Sequence, residues 1–124
     1  MSRKAKRILI VEDDPSTAEL IAETLANSGY KSLVAREGAE ALRLIQEQVP
    51  SAITLDLSLP GLDGRSFLLG LRSNEATKRT PVIVVSSNGE NLSAFERRSV
   101  AHVIPKPFDL DELRNVVLGA AAYA

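Results

Sequence analysis

No cysteine occurs in the 124 residues. That excludes disulfides, thiolate metal sites and cysteine nucleophiles, and nothing points to an oxidising compartment. No apolar stretch approaches the roughly 20 residues that span a bilayer. The N-terminus also lacks the long apolar segment of a secretory signal. The expected location is the cytoplasm, with no membrane contact. Net charge is close to nil: −1 overall gives no global pull toward nucleic acid or an anionic membrane. The basic opening SRKAKR reads as a solvated start before a first strand. Histidine occurs once, at His102. A lone histidine beside a strand is more often structural or solvent-facing than catalytic, and no phosphotransfer role is expected of it.

What is present is ordinary for a folded domain. Hydrophobic residues make up 44% and charged residues 25%, which argues against disorder. The length suits a single domain, expected to fill residues 1–124 with a core over about 7–118. Short apolar runs rich in Val and Ile fall at residues 8–11, 33–35, 52–55, 82–85 and 103–104. Uninterrupted runs of this length describe strands buried on both faces.

Amphipathic segments lie between them. Asp14-Pro15 suits a cap and first turn. Ala18, Ile21, Ala22 and Leu25 then share a helical face, and Gly29 offers a stop. Ala41, Leu42, Ile45 and Val49 form a second stripe, closed by Pro50. Phe67, Leu68 and Leu71 form a third. The segment over 91–99 is weakly patterned, with only Leu92, Phe95 and Val100 apolar nearby. The last opens on Asp109, Leu110, Asp111 and Glu112 in the manner of a capping box, and runs on through Leu113, Val116 and Val117. Five strands alternating with five helices predict an α/β fold, a parallel sheet with helices on both faces.

In such sheets ligands bind beyond the carboxyl ends of the strands. The residues there are Glu12, Asp13 and Asp14 after the first run, Asp56 after the third, Ser86, Ser87 and Asn88 after the fourth, and Lys106 between two prolines after the fifth. The second run ends only in Arg36, Glu37 and Gly38, a turn. Strands stand about 4.8 Å apart, so acids ending neighbouring strands repel each other unless a cation intervenes. An all-oxygen cluster suits a hard cation, and Mg²⁺ needs only one or two carboxylates and pairs readily with phosphate oxygens. Lys106, from a strand roughly 10 Å from the third, has a stem long enough to reach the cluster. A carboxylate, a divalent cation, a lysine and a hydroxyl form a site for a phosphoryl group. Pro60, Gly61 and Gly64 are expected to turn the chain away and leave Asp56 open.

These elements, in this order, resemble the receiver domain of two-component response regulators. The resemblance rests on Glu12-Asp13, on LDLSLPGLDG around Asp56, on Ser86 after PVIVV and on KPF at Lys106. It implies a flavodoxin-like (βα)5 three-layer sandwich with strand order 2-1-3-4-5. It implies Asp56 as phosphoacceptor from the phosphohistidine of a sensor histidine kinase or phosphotransfer protein. Asp13 is implied as main Mg²⁺ ligand, Glu12 as holder of metal-bound water, and the Ser58 carbonyl as a further ligand. Ser86 is to meet the incoming phosphoryl group, Lys106 to pair first with Asp56 and then with that group, and the Lys106-Pro107 bond to be cis. Downstream contact, with a target or an attached output domain, is implied for the face of the fourth and fifth helices and last strand, without direct nucleic-acid contact.

Three features depart from the family pattern. Val103 stands where Tyr or Phe is usual. The segment from Ser86 to Lys106 is short, which predicts a short fourth helix. Ser86 replaces the commoner Thr. Ser58 and Asn88 occupy the positions that tune phosphoryl lifetime. A phosphatase of the haloacid dehalogenase type also uses an aspartyl nucleophile after a strand, but it wants a second acid where Ser58 stands. A pseudo-receiver that binds without taking phosphate is opposed by the intact Asp13, Asp56, Ser86 and Lys106. Asp14 is expected to cap a helix, Asp63 to serve a turn or helix start, and Asp111 and Glu112 to serve a helix start.

Overall fold

The computed structural model describes residues 6–59, 63–87 and 92–122. Pro60, Gly61 and Asn88, and residues 2–5 of the basic opening, lie outside them. Elements alternate along the chain: β1 (Arg7–Val11), α1 (Pro15–Thr24), β2 (Lys31–Ala35), α2 (Gly38–Glu47), β3 (Ala52–Leu55), α3 (Gly64–Ser73), β4 (Val82–Ser87), α4 (Ala94–Ser99), β5 (His102–Lys106) and α5 (Leu110–Ala122). The sheet is parallel throughout, in the order β2-β1-β3-β4-β5. This is the flavodoxin-like arrangement.

Strand alternation sorts the core into two clusters. Ile8, Ile10, Ala52, Ile83, Val85 and Ile104 face Ala18 and Ile21 of α1 and Leu113 and Val117 of α5. Leu9, Val11, Ile53, Leu55 and Val82 face Ala41 and Ile45 of α2 and Phe67, Leu68 and Leu71 of α3. The three inner strands read as continuous apolar runs because both their faces are covered. Each fully buried Leu, Ile or Phe contributes about 1.5–3 kcal/mol relative to exposure.

Several expectations need correction. Helix α1 ends at Thr24, with the Leu25 amide donating back to the Ile21 carbonyl, so Gly29 is not its stop. The reversal into β2 uses Asn27 at φ +62° and Gly29 at φ +91°. A side chain at Gly29 would meet nothing within 4 Å, so the left-handed backbone alone asks for glycine there. Leu42 and Val49, assigned to the α2 stripe, are exposed at 47% and 39%. Leu42 lies one residue, about 100° of helix, from the buried Ala41, and Val49 lies past the helix end.

The helix starts follow local chemistry. Asp14 accepts from the Thr17 amide at 3.0 Å, and also from the Thr17 hydroxyl. Asp63 accepts from the amides of Arg65 and Ser66 and from the Ser66 hydroxyl. Asp109 accepts from the Glu112 amide at 2.9 Å. Hydrogen bonds from Thr17 and Ser66, to their respective acids, hold the Asp14 and Asp63 carboxyls below their ordinary range. All helices begin beyond the carboxyl ends of strands, so these acids gather at one end of the sheet. Arg72, Arg97 and Arg98, in the last turns of α3 and α4, stand toward the other. Each sign complements the helix dipole it meets.

Candidate functional site

Strand alternation also brings the charged residues together. Glu12 follows Ile8 and Ile10, Asp56 follows Ala52 and Thr54, and Lys106 follows Ile104, each on the α1–α5 face of the sheet. Val11 and Leu55 are register partners, so the next residues stand side by side. The Asp56 amide donates to the Val11 carbonyl at 3.0 Å, and the Glu12 amide to the Ala35 carbonyl at 2.9 Å. The backbone ladder therefore continues one rung past the strands and fixes both acids.

Lys106 crosses from the edge strand to close this pair. Its Nζ donates to Glu12 Oε1 at 2.8 Å and to Asp56 Oδ2 at 3.1 Å. Glu12 is 2% exposed and Asp56 6%. Burial pushes the Glu12 carboxyl above its ordinary range, and the Asp56 charge adds to this, against the opposing bonds from Lys106 and the Asp14 amide. Burial alone would lower Lys106; hydrogen bonds to Glu12 and Asp56, with their charges, outweigh it and raise the ammonium. Lysine thus stays charged where two acids need it. The sequence reading paired Lys106 with Asp56 alone; its shorter bond is to Glu12.

Asp13 is exposed at the mouth of the pair. One carboxylate oxygen each of Glu12, Asp13 and Asp56 lies within 4.8 Å of the others. Asp56 Oδ1 accepts from the Ser58 amide at 2.8 Å. This turns the chain at Ser58 around Asp56. Ser86 is buried near the end of β4, paired in register with Pro105, while Ser87 pairs with Lys106. Its hydroxyl donates to the Ser87 carbonyl at 3.3 Å. The Lys106-Pro107 bond is cis. Asp14 turns to its helix cap, as expected. His102 opens β5 at the opposite end of the sheet, remote from the acids.

Three oxygen-only ligands, two of them buried, fit a small hard cation such as Mg²⁺. Glu12 and Asp56 are both buried, with the one lysine to offset their charge.

Residues 8–118 match the response regulator receiver domain, and the chain belongs to that family. It is 35% identical over 113 residues to regulatory protein AtoC of Escherichia coli (strain K12), covering 90% of this chain. It is 31% identical over 114 residues to sporulation initiation phosphotransferase F of Bacillus subtilis (strain 168), covering 90% of each. Among solved structures it resembles the receiver domain of a sensor histidine kinase from Pseudomonas aeruginosa PAO1, which has a magnesium ion coordinated in its active-site cleft. The TM-score is 0.82 at 28% identity, over 96% of this chain and 99% of that one. The chain spans only 24%, 37% and 45% of the first curated relatives it matches.

Sequence reasoning missed two local features. Ser93-x-x-Glu96 closes a reciprocal capping box at α4, and its spacing is a recognisable signal. Arg72, which ties distant carbonyls together, has no sequence signal. No described helix is long and apolar enough to cross a membrane.

Proposed function

We propose that this receiver domain takes a phosphoryl group onto Asp56 from the phosphohistidine of a sensor histidine kinase or phosphotransfer protein. The observation that carries the reading is the cluster itself: Glu12, Asp13 and Asp56 oxygens within 4.8 Å of one another, with Lys106 bridging two of them. The donor P–N bond breaks as a P–O bond forms to the Asp56 carboxylate, leaving an acyl phosphate on the protein. Such transfer asks for positioning and charge neutralisation more than for covalent chemistry from the protein.

The Ser58 amide orients Asp56 through Oδ1, and Lys106 holds Oδ2. Asp13, Asp56 and the Ser58 carbonyl would hold Mg²⁺, with Glu12 holding its bound water. When bound, the ion offsets the charge that builds on the phosphoryl oxygens. Lys106 then turns its donors from the two acids to the phosphoryl group, and the Ser86 hydroxyl rotates to donate to it. The added charge, close to −2, biases the position of the β4 end and α4. The acid that a haloacid-dehalogenase-type phosphatase needs two residues after Asp56 is replaced by Ser58. The domain is therefore a signalling acceptor, acting only on its own phosphoryl group.

Residues 1–124 form one domain with its core over about 7–118, working in the cytoplasm. Output goes to a protein target or an attached output domain through the α4–β5–α5 face, without direct contact with nucleic acid or membrane. Val103, exposed on that face, takes the place of the usual aromatic and leaves the signal to other elements.

Incubation with acetyl phosphate and Mg²⁺, followed by intact-mass measurement, tests the reading. One added phosphoryl group is expected, and none in Asp56→Asn. Label that survives Asp56→Asn, or no label at all, overturns it. Rapid turnover of phosphate esters would support the phosphatase instead.

A further inference from the structure

The end of the sheet away from Asp56 holds an open cavity of about 580 Å³. That lies within the roughly 300–1,000 Å³ of small-molecule sites. Two loops form its walls: Val49, Pro50 and Ser51 between α2 and β3, and Lys78, Arg79 and Thr80 between α3 and β4. Both loops are firmly held. The Ser51 amide donates to the Arg7 carbonyl at 2.7 Å. In the other loop the Ala76 amide donates to the Asn74 side chain, the Lys78 amide to the Asn74 carbonyl and the Thr80 amide to the Thr77 carbonyl. Behind that loop stands Arg72. Its Nη1 donates to the carbonyls of Thr80 at 2.9 Å and Thr77 at 3.3 Å, and its Nε and Nη2 donate to the Ser99 carbonyl. A ligand meets walls that are already ordered, which spares it the cost of ordering them.

The walls offer positive charge and hydroxyls. Among the described residues no carboxylate pairs with Arg79, nor with the half-buried Arg72 behind it. Lys78 pairs with Glu75 at 2.7 Å, but both are exposed, so that pair is weak and the ammonium exchanges it readily. Glu75 is the one acid lining the cavity. Thr80 is only 6% exposed. Its hydroxyl bonds to no described residue, yet the side-chain atoms sealed from solvent without a partner are Arg7 Nη1 and Thr54 Oγ1. The Thr80 hydroxyl therefore opens outward, into the cavity that Thr80 lines. Exposed Val49 and the adjoining Pro50 form an apolar shelf beside these donors.

We propose that this cavity binds a small phosphate ester, with Arg79, Lys78 and Thr80 holding the phosphate and the Val49–Pro50 shelf taking the organic part. A guanidinium fork, an ammonium and a hydroxyl supply more donors than a planar carboxylate needs, since one guanidinium serves a carboxylate in full. A phosphate monoester presents three strong acceptor oxygens to the same set. Without Mg²⁺ the other end of the sheet does not compete for this ligand, because Glu12, Asp13 and Asp56 repel it. The site needs no phosphoryl transfer to Asp56 and stands apart from the function proposed above.

Titration of the isotope-labelled full chain with phenyl phosphate, followed by NMR in Mg²⁺-free buffer at constant ionic strength, tests the proposal. Saturable shifts are expected at the amides of Ser51, Ala76 and Thr80, and none at Glu12 or Asp56. Inorganic phosphate should shift the same amides with weaker affinity, because it leaves the shelf empty, and benzoate should bind about tenfold more weakly. Arg79→Gln should weaken phenyl phosphate by about tenfold, and Glu75→Gln should strengthen it by freeing Lys78. Thr80→Val changes no charge and should still weaken binding, which a diffuse basic surface would not show. Arg98→Gln removes an exposed cation from α4 and should leave the affinity unchanged. Shifts that grow without saturating, or saturate only at the Asp56 end, overturn the proposal. So does an affinity unchanged by Arg79→Gln or by a folded Thr80→Val, or weakened as much by Arg98→Gln. Inorganic phosphate or benzoate binding as tightly as phenyl phosphate overturns the assignment to an ester. Arg79 and Glu75 are exposed, so the comparison stands even if Thr80→Val does not fold.

Discussion

Replacing Thr54 by valine isolates the free energy of one buried hydroxyl. Thr54 sits in the middle of β3, 1% exposed, with Ile10 and Ile83 as its register partners on either side. Its Oγ1 has no hydrogen-bond partner among the described residues. An unsatisfied buried polar group costs about 1–3 kcal/mol, and a methyl group in its place adds about 0.8 kcal/mol of burial. Thr and Val have the same shape and both favour strands, so propensity does not confound the comparison. Thr54→Val should therefore stabilise the domain by about 2 kcal/mol. Urea unfolding should show a midpoint higher by roughly 1 M with an unchanged slope, for slopes near 1–3 kcal/mol/M. The melting temperature should rise by roughly 8 °C at this chain length. Thr54→Ser keeps the hydroxyl and removes the methyl, and should destabilise by about 1 kcal/mol. Phosphoryl uptake should not change in either. Equal or lower stability in Thr54→Val would refute the reasoning, because it would mean the hydroxyl is bonded in the native state.

Lys106→Met leaves Glu12 and Asp56 buried without their shared cation; a loss of about 3 kcal/mol in urea unfolding at neutral pH is expected, with phosphoryl uptake from acetyl phosphate slowed. Addition of Mg²⁺ should raise the unfolding midpoint, by about 2.7 kcal/mol at a hundredfold excess over its dissociation constant, and Asp13→Asn should weaken this response. Asp63→Ala removes the α3 cap and should lower the melting temperature. Because the Asp63 carboxyl is held below its ordinary 3.8 by the Ser66 hydroxyl and amide, its contribution is complete above that value. It disappears as pH falls through the depressed one, so the variant should show a shallower acid limb in a stability–pH profile.

Much of this architecture can be read from residue order. The runs at 8–11, 52–55 and 82–85 lie in central strands, where continuous Val and Ile admit few other readings. The edge strands were less legible. β2 begins at Lys31 and β5 at His102, because an edge strand needs only partial burial and tolerates polar ends. The acids, Ser86 and Lys106 were legible from their places at strand ends. What could not be read was which groups meet: that Lys106 bridges Glu12 at 2.8 Å as well as Asp56 at 3.1 Å depends on the path of a long flexible stem. Arg72 was illegible for a related reason. Its partners are backbone carbonyls up to 27 residues away, and a carbonyl leaves no mark on the sequence.

The caps and last-turn arginines have a consequence at long range. With Asp14, Asp63, Asp109 and the acid cluster at one end of the sheet and Arg72, Arg97 and Arg98 toward the other, a net charge of −1 conceals a sizeable dipole. A partner that presents a basic surface is turned toward the acidic end before contact, over about 8–10 Å at ordinary ionic strength. Encounter with such a donor should slow as salt is added. A small anionic donor is repelled by the same field, and should react faster when salt screens it.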